Sequence, residues 1–303
     1  MKSARQKTAG KSITPRQQQN WDWRAASNFI CGGSGSGLLI LSLFAAAAGA
    51  DVRPAIVLAL VLVATGLTCV WFEIGRPWRA LNVYRHIQTS WMTREAVVAL
   101  PLFLCGALAF YTQHIVWQAA SAVCGAAFLY SQARILVNNK GIPAWRHPRC
   151  LLLMASTGLA EGAGFLALAA TLAPPPQPVA TLAAAVIALS VLRIVAWRAY
   201  LAALRHDGAP SGSLKALAGI DARIVFGSGA GAIVFAAAAA ANLPGAVLWL
   251  AAAGALAAGG GWMLKYTLIL RAAFNQGLAI GHLPVRGRGV SGPPVKPGWG
   301  GLG

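Results

Sequence analysis

The sequence WFEIGRPWRALNVYRHIQTSWMTRE, residues 71–95, separates two long apolar segments. Four arginines and several aromatic residues alternate within it, and Glu73 lies just inside the first apolar segment. Arginine and aromatic side chains favour the headgroup zone at the end of a membrane span, because their apolar bodies and polar tips are both satisfied there. The pattern fits an interfacial anchor, and it also fits a pocket for an amphipathic ligand at that depth.

The composition of the chain predicts a membrane protein. Of 303 residues, 57% are hydrophobic and only 11% are charged. Soluble domains of this length are far less apolar. Several apolar segments reach about 20 residues, which is the length at which an α-helix crosses a hydrocarbon layer of about 30 Å. We therefore predict an all-α, polytopic transmembrane bundle in a lipid membrane, with no soluble domain of its own.

Hydrophobic periodicity and segment length together predict eight transmembrane helices. A basic arm over residues 1–26 precedes this transmembrane domain, which covers residues 27–274. A tail rich in Gly, Pro and Arg follows over residues 275–303. The predicted spans are 27–49, 54–75, 95–112, 115–138, 150–172, 179–203, 223–242 and 245–274.

The charge distribution predicts the orientation of the bundle. The chain has 25 Lys and Arg against 7 Asp and Glu, a net charge of +18. In a soluble chain this excess would suggest nucleic acid as the partner. Here every basic segment precedes the first span or follows an even number of spans, whereas the alternate loops carry almost no positive charge. The positive-inside rule then predicts that both termini lie in the cytoplasm, with the chain in the inner membrane.

The histidines and cysteines argue against metal chemistry in this chain. All five histidines fall in loops or at their edges, whereas a membrane haem needs axial ligands that project from spans into the bundle. The five cysteines form no C-x-x-C pair. We therefore expect no haem, no bound metal and no iron–sulfur cluster of its own.

Ionisable residues at span depth form the second group of candidates. A charge in hydrocarbon costs about 3 kcal/mol or more at mid-depth, so these side chains should face the bundle interior and pair. A structural salt bridge, for example between Glu161 and Arg193, and a functional role are both consistent with the pattern. The residues concerned are Glu73, Arg134, Glu161, Arg193 and Lys265.

Glu73 differs from the others because it lies one turn before Arg76, at the end of its span. A carboxylate there could exchange protons between the aqueous face and a bound redox headgroup. Arg76, Arg79 and Asn82 could donate hydrogen bonds to the carbonyl oxygens of that headgroup. The remaining binding candidates are Trp78, Asn28 and Tyr130.

The motif FEIGRPWRALN, followed by TSWMTRE, resembles the loop between spans two and three of the NrfD/polysulfide reductase/dimethyl-sulfoxide reductase membrane-anchor family. The family pattern reads roughly His-Leu-Gly-x-Pro-x-Arg-Ala, then Thr-Ser-Trp and an acidic residue. The span count and the first span, rich in small residues, also fit. The resemblance implies an anchor that binds ubiquinone or menaquinone near the docking face of an iron–sulfur subunit, which is itself joined to a molybdenum or tungsten catalytic subunit.

Two features depart from the family pattern. Glu73 stands where many relatives have histidine, although carboxylate and imidazole can both relay protons. Many relatives hold the catalytic subunit outside the cytoplasm, whereas the predicted orientation here implies a cytoplasmic partner. The segment FNQGLAIGHLPVRG in the tail is similar to the membrane subunits of phenylacetyl-CoA:acceptor oxidoreductases. Two alternatives stay open, a passive anchor without a quinone site and a secondary transporter.

Overall fold

A computed structural model of the chain describes residues 14–73, 87–171 and 179–277. Within these ranges the protein is helical, with one isolated antiparallel bridge between Gln17 and Phe274. Eight of the described helices are long and apolar enough to cross a membrane. The predicted all-α bundle of eight spans is therefore confirmed.

The eight spanning helices, labelled α1 to α8, agree with the predicted spans to within a few residues at most ends. Three begin four or more residues earlier than predicted, and the first of them, α1, starts at Trp23. Ser90 caps α3, since its side chain accepts a hydrogen bond from the Thr93 amide, so that helix starts at Trp91. The helix α7 runs back through a polar segment to Ser211. The bounds are Trp23–Ala47 (α1), Arg53–Glu73 (α2), Trp91–Thr112 (α3), Ile115–Val137 (α4), Arg149–Ala169 (α5), Val179–His206 (α6), Ser211–Ala240 (α7) and Ala246–Arg271 (α8).

Helices α1 to α4 pack together, helices α5 to α8 pack together, and the two groups join along α1 and α5. Glycines make this junction possible. A Cβ on Gly37 of α1 would collide with the backbone of Gly158 of α5, and a Cβ on Gly162 of α5 would collide with the backbone of Gly37. Small residues let helix backbones approach closely in lipid. The glycine-rich first span therefore lies at the centre of the bundle.

Three spans contain wide π-helical turns, at Asn28–Gly32 in α1, Arg223–Ala230 in α7 and Thr267–Arg271 in α8. Such turns change the direction of the side chains that follow, and they are frequent at functional sites. The turn in α1 lies at the same end of the bundle as the 71–95 motif, and Asn28 within it is buried. This turn therefore places a polar side chain inside the bundle.

At the same end of the bundle, the N-terminal and C-terminal segments of the described chain contact each other. The amide of Gln18 donates to the carbonyl of Ala273 at 2.8 Å, which fixes the N-terminal segment beside the end of α8. Trp21 stacks on Trp145 with ring centroids 4.8 Å apart. Trp145 in turn donates from Nε1 to the carbonyl of Leu268 at 2.9 Å. These contacts form a firm aromatic layer at this end.

Candidate functional site

The structure describes some of the predicted site residues and not others. The loop residues Arg76, Trp78, Arg79 and Asn82 lie outside the described residues. Glu73 is the last residue of α2 and is partly exposed. Its carboxylate interacts electrostatically with Asp22 and Arg24 at the start of α1. Hydrogen bonds from Arg24 lower the pKa of Asp22, so this pair remains ionised beside Glu73. The end of α2 is therefore a charged, water-accessible position.

A buried polar network lies deeper at the same end of the bundle. Glu95 of α3 accepts hydrogen bonds on Oε1 from Asn28 Nδ2 at 3.0 Å and from Gln132 Nε2 at 3.1 Å. Gln132 Nε2 also donates to the backbone carbonyl of Asn28 at 2.9 Å. The exposed fractions are 4% for Asn28, 5% for Glu95 and 0% for Gln132. Three helices thus bring one carboxyl group and two amides together in the bundle interior.

Glycines on the neighbouring helices make room for this network. A Cβ on Gly66 of α2 would come within 3.1 Å of the Asn28 Cα. A Cβ on Gly32 of α1 would come within 2.5 Å of Gln132 Nε2. Larger residues at either position would push the amides away from Glu95. The small residues therefore serve the polar network as well as the packing of helices.

Two oxygen atoms of the network are buried without a hydrogen-bond partner among the described residues, Asn28 Oδ1 and Gln132 Oε1. An unpartnered buried acceptor costs about 1–3 kcal/mol, so each atom favours a donor from a ligand or a bridging group. The amides thus offer acceptors, and Glu95 offers a carboxyl group that can hold or release a proton. This donor set fits a small ligand that carries both hydroxyl and carbonyl oxygens.

Tyr130 lies on an aromatic rim outside the polar network. It is 44% exposed, and its ring meets that of Trp91 edge-on with centroids 5.5 Å apart. The guanidinium carbons of Arg94 and Arg134 lie 4.2 Å and 4.9 Å from the Trp91 ring centroid. Such cation–π contacts hold arginines against a ring at an interface. The structure therefore brings Asn28 into the network and leaves Tyr130 on the rim.

A second group of buried charges lies at greater depth. Lys265 Nζ of α8 donates to Glu161 Oε2 of α5 at 2.5 Å, and both side chains are fully buried. Ser34 of α1 donates to the same oxygen at 2.9 Å. Arg193 of α6 instead donates from Nη1 to the Ala257 carbonyl at 2.5 Å. In place of the suggested Glu161–Arg193 salt bridge, the structure pairs Glu161 with Lys265, while the Arg193 guanidinium donates to a backbone carbonyl of α8.

Glu95 and Gln132 were not among the predicted site residues. Glu95 closes the TSWMTRE motif, but the predicted span began at residue 95, which placed this carboxylate at the interface. Once Ser90 caps the helix, Glu95 is the fifth residue of α3 and is buried. A glutamine inside an apolar span was the signal available for Gln132. Neither residue shows its partner in the local sequence.

A protein-family model described as DMSO reductase anchor subunit (DmsC) matches residues 28–205. The matched region runs from Asn28 through the 71–95 motif and Gln132 to the end of α6. No curated protein matches the sequence. Because the match covers more than half of a multi-pass membrane chain, the protein belongs to the family of DMSO reductase anchor subunits.

Proposed function

We propose that this chain is the quinone-reactive membrane anchor subunit of a molybdenum or tungsten oxidoreductase complex. Membership of the anchor family supports the anchoring role. The observation that supports the quinone site is the buried carboxyl group of Glu95. Glu95 lies in α3, the helix that follows the motif loop, and two amides from neighbouring helices donate hydrogen bonds to it. An anchor without chemistry has no need of such a group, because a buried ionisable side chain is costly in a membrane.

A quinone takes up two electrons and two protons when it becomes a quinol, and ubiquinone and menaquinone share this chemistry. The chain supplies the groups that handle the protons. Glu95 holds or releases one proton, and burial limits its exchange with bulk water. The free acceptors Asn28 Oδ1 and Gln132 Oε1 orient a hydroxyl group beside it. The electrons pass to or from an iron–sulfur partner subunit, a role that membership of the anchor family supports.

Glu73 and the loop complete the proposed site on its aqueous side. Glu73 relays protons between water and the buried network, and its partly exposed position at the end of α2 supports this role. Arg76, Arg79 and Asn82 hold the headgroup by hydrogen bonds. Tyr130 supplies an aromatic surface at the rim, and Trp78 is a further proposed binding residue.

The partner subunits dock on the basic face of the bundle. By the positive-inside rule this face, with both termini, lies in the cytoplasm, and the chain lies in the inner membrane. The iron–sulfur subunit binds there and carries the catalytic subunit with it. The similarity of the tail to phenylacetyl-CoA:acceptor oxidoreductase membrane subunits adds a substrate class, a coenzyme A thioester oxidised in the cytoplasm.

The proposal is tested in the intact complex, purified through a tag on this chain. Glu95→Gln is expected to lower quinol-coupled turnover about a hundredfold, the typical contribution of a positioned acid or base. Turnover of the catalytic subunit with a soluble dye should not change. Asp207→Asn is the matched control, since Asp207 is half exposed at the end of α6. Quinol-coupled turnover that is unchanged in Glu95→Gln, with normal assembly, contradicts the proposed quinone site.

The same preparation tests Glu73 and the main alternative. Glu73→Ala is expected to slow quinol-coupled turnover less than Glu95→Gln, because water can replace an exposed relay. A passive anchor would show no inhibition by a quinone analogue and no effect of either substitution. Protease cleavage of the tail from the outer side only would contradict the orientation. Copurified subunits identify the catalytic partner and its substrate class.

A further inference from the structure

The Glu161–Lys265 pair lies well inside the bundle, beyond the Glu95 network. At about 1.5 Å per residue, Glu161 lies roughly 18 Å along α5 from Arg149. Both members of the pair are fully buried, and Ser34 donates a further hydrogen bond to the carboxylate. Trp262 Nε1 donates to Ser34 Oγ at 2.9 Å and completes the enclosure. Glu161 and Lys265 therefore form a desolvated acid–base pair that is held in place by further hydrogen bonds.

This pair and the Glu95 network approach each other at Gly33 of α1. Lys265 Nζ and Gln132 Oε1 both lie within 4 Å of the point where a Cβ of Gly33 would stand. Gln132 Oε1 is a buried acceptor without a partner among the described residues, and Lys265 Nζ is a donor with more than one N–H. A small side-chain movement or one bridging water would connect them. The absence of a side chain at Gly33 keeps this passage open.

The charges around the pair allow it to exist in two protonation states. Arg193 is buried near Glu161, and its Nε and Nη2 atoms have no hydrogen-bond partner among the described residues. Two cations and one carboxylate leave an uncompensated positive charge in the bundle, which is unfavourable in a low dielectric. If Lys265 loses a proton, Glu161 still has Arg193 as its counter-charge. Among the residues that the structure describes, Cys31 of α1 also interacts electrostatically with the pair.

Two buried amides extend the polar surroundings of the pair toward the Glu95 network. Toward Glu95 there are Gln132 and Asn28. Toward the opposite end, Ser190 lies one turn beyond Arg193, and the buried cluster that follows among α5 to α8 is apolar in the described residues. It includes Ala167, Leu182, Val186, Ala236, Leu250 and Ala253. The polar side chains therefore connect the pair with the Glu95 end, whereas this hydrophobic cluster lies toward the opposite end.

We propose that Glu161 and Lys265 form an internal proton store, which exchanges one proton with Glu95 through the amide of Gln132. This inference rests on the proposed quinone site. When the quinone is reduced by two electrons from the iron–sulfur partner, Glu95 gives up one of the two protons and the second enters from water through Glu73. The store replaces the proton that Glu95 gave up, leaving a neutral Lys265 amine and a Glu161 carboxylate beside Arg193. Quinol oxidation runs the same transfer backwards and reloads the store.

The experiment is electrochemical infrared difference spectroscopy on the full-length chain. The chain is placed in nanodiscs of phosphatidylcholine and phosphatidylglycerol with ubiquinone-2, which is reduced and reoxidised at an electrode. Glu73, Glu95 and Glu161 are the only glutamates, so ¹³C-glutamate labelling identifies their signals. We expect one ¹³C-shifted carboxyl band in the difference spectrum that disappears in Glu95→Gln and a second that disappears in Glu161→Gln. Lys265→Arg is expected to shift the second signal, and it serves if Glu161→Gln does not fold.

Gly33→Ala tests the connection itself, because the new Cβ collides with Lys265 Nζ. It is expected to remove the Glu161 signal and keep the Glu95 signal. Gly259→Ala is the matched control, since a Cβ there meets nothing within 4 Å, and it should keep both. A Glu95 signal without any Glu161-dependent signal in the wild-type chain overturns the proton store and leaves the quinone site intact. The absence of a Glu95 signal overturns the quinone site.

Discussion

Glu161→Gln is expected to destabilise the protein more than Lys265→Met. The substitution removes the only buried carboxylate beside Lys265 and Arg193, so two cations remain in the bundle interior. Removing one partner of a buried ion pair costs about 3–5 kcal/mol. Lys265→Met leaves Glu161 with Ser34 and with the charge of Arg193, so its main loss is one charge-assisted hydrogen bond, about 1.5–3 kcal/mol. The two costs should therefore be unequal.

The assay is a double-mutant cycle on the free energy of unfolding of the full-length chain, measured by titration with sodium dodecyl sulfate in mixed micelles. The double variant should cost less than the sum of the two single variants, because it leaves one buried cation, Arg193, without a counter-charge, whereas Glu161→Gln alone leaves two. The control cycle uses Asp51 and Arg53, an exposed pair at 2.6 Å, for which a coupling of about 0–1 kcal/mol is expected.

Equal losses in the two single variants, with additive effects in the double variant, would refute this reasoning. That outcome would mean that Glu161 does not act as the shared counter-charge of Lys265 and Arg193. The charge balance on which the proton store depends would then be wrong as well.

Two further predictions concern packing and pH. Gly162→Ala should lower the melting temperature by several degrees, because its Cβ collides with the Gly37 backbone, whereas Gly259→Ala should leave it unchanged. The pKa of His147 is lowered by burial, so the folded protein favours the neutral imidazole. Its contribution to stability is present above the unfolded pKa of about 6.5 and is lost as the pH falls below that value. The melting temperatures of wild type and His147→Asn are measured between pH 5 and 8 and plotted against pH. The two plots should differ in slope below pH 6.5, and parallel plots would contradict this prediction.

The sequence by itself determined the class of the protein and the number of its spans. Each span is a local property, because about 20 apolar residues must be helical in order to satisfy their backbone groups in lipid. The short connection between α3 and α4 was equally local, since α3 ends at Thr112 and α4 begins at Ile115. The ends of the spans were predicted less accurately than their number. A cap such as Ser90, and polar turns such as those after Ser211, extend a helix beyond its apolar segment.

Only the tertiary structure decided which polar residues meet. Asn28, Glu95 and Gln132 come from three different helices, and Glu161 and Lys265 come from two helices that are far apart in the chain. Hydropathy shows that a buried charge must find a partner, but it does not name that partner, because the choice depends on how glycines such as Gly33 let the helices approach. Pairing inside a membrane is a property of the packed bundle, whereas crossing the membrane is a property of each segment.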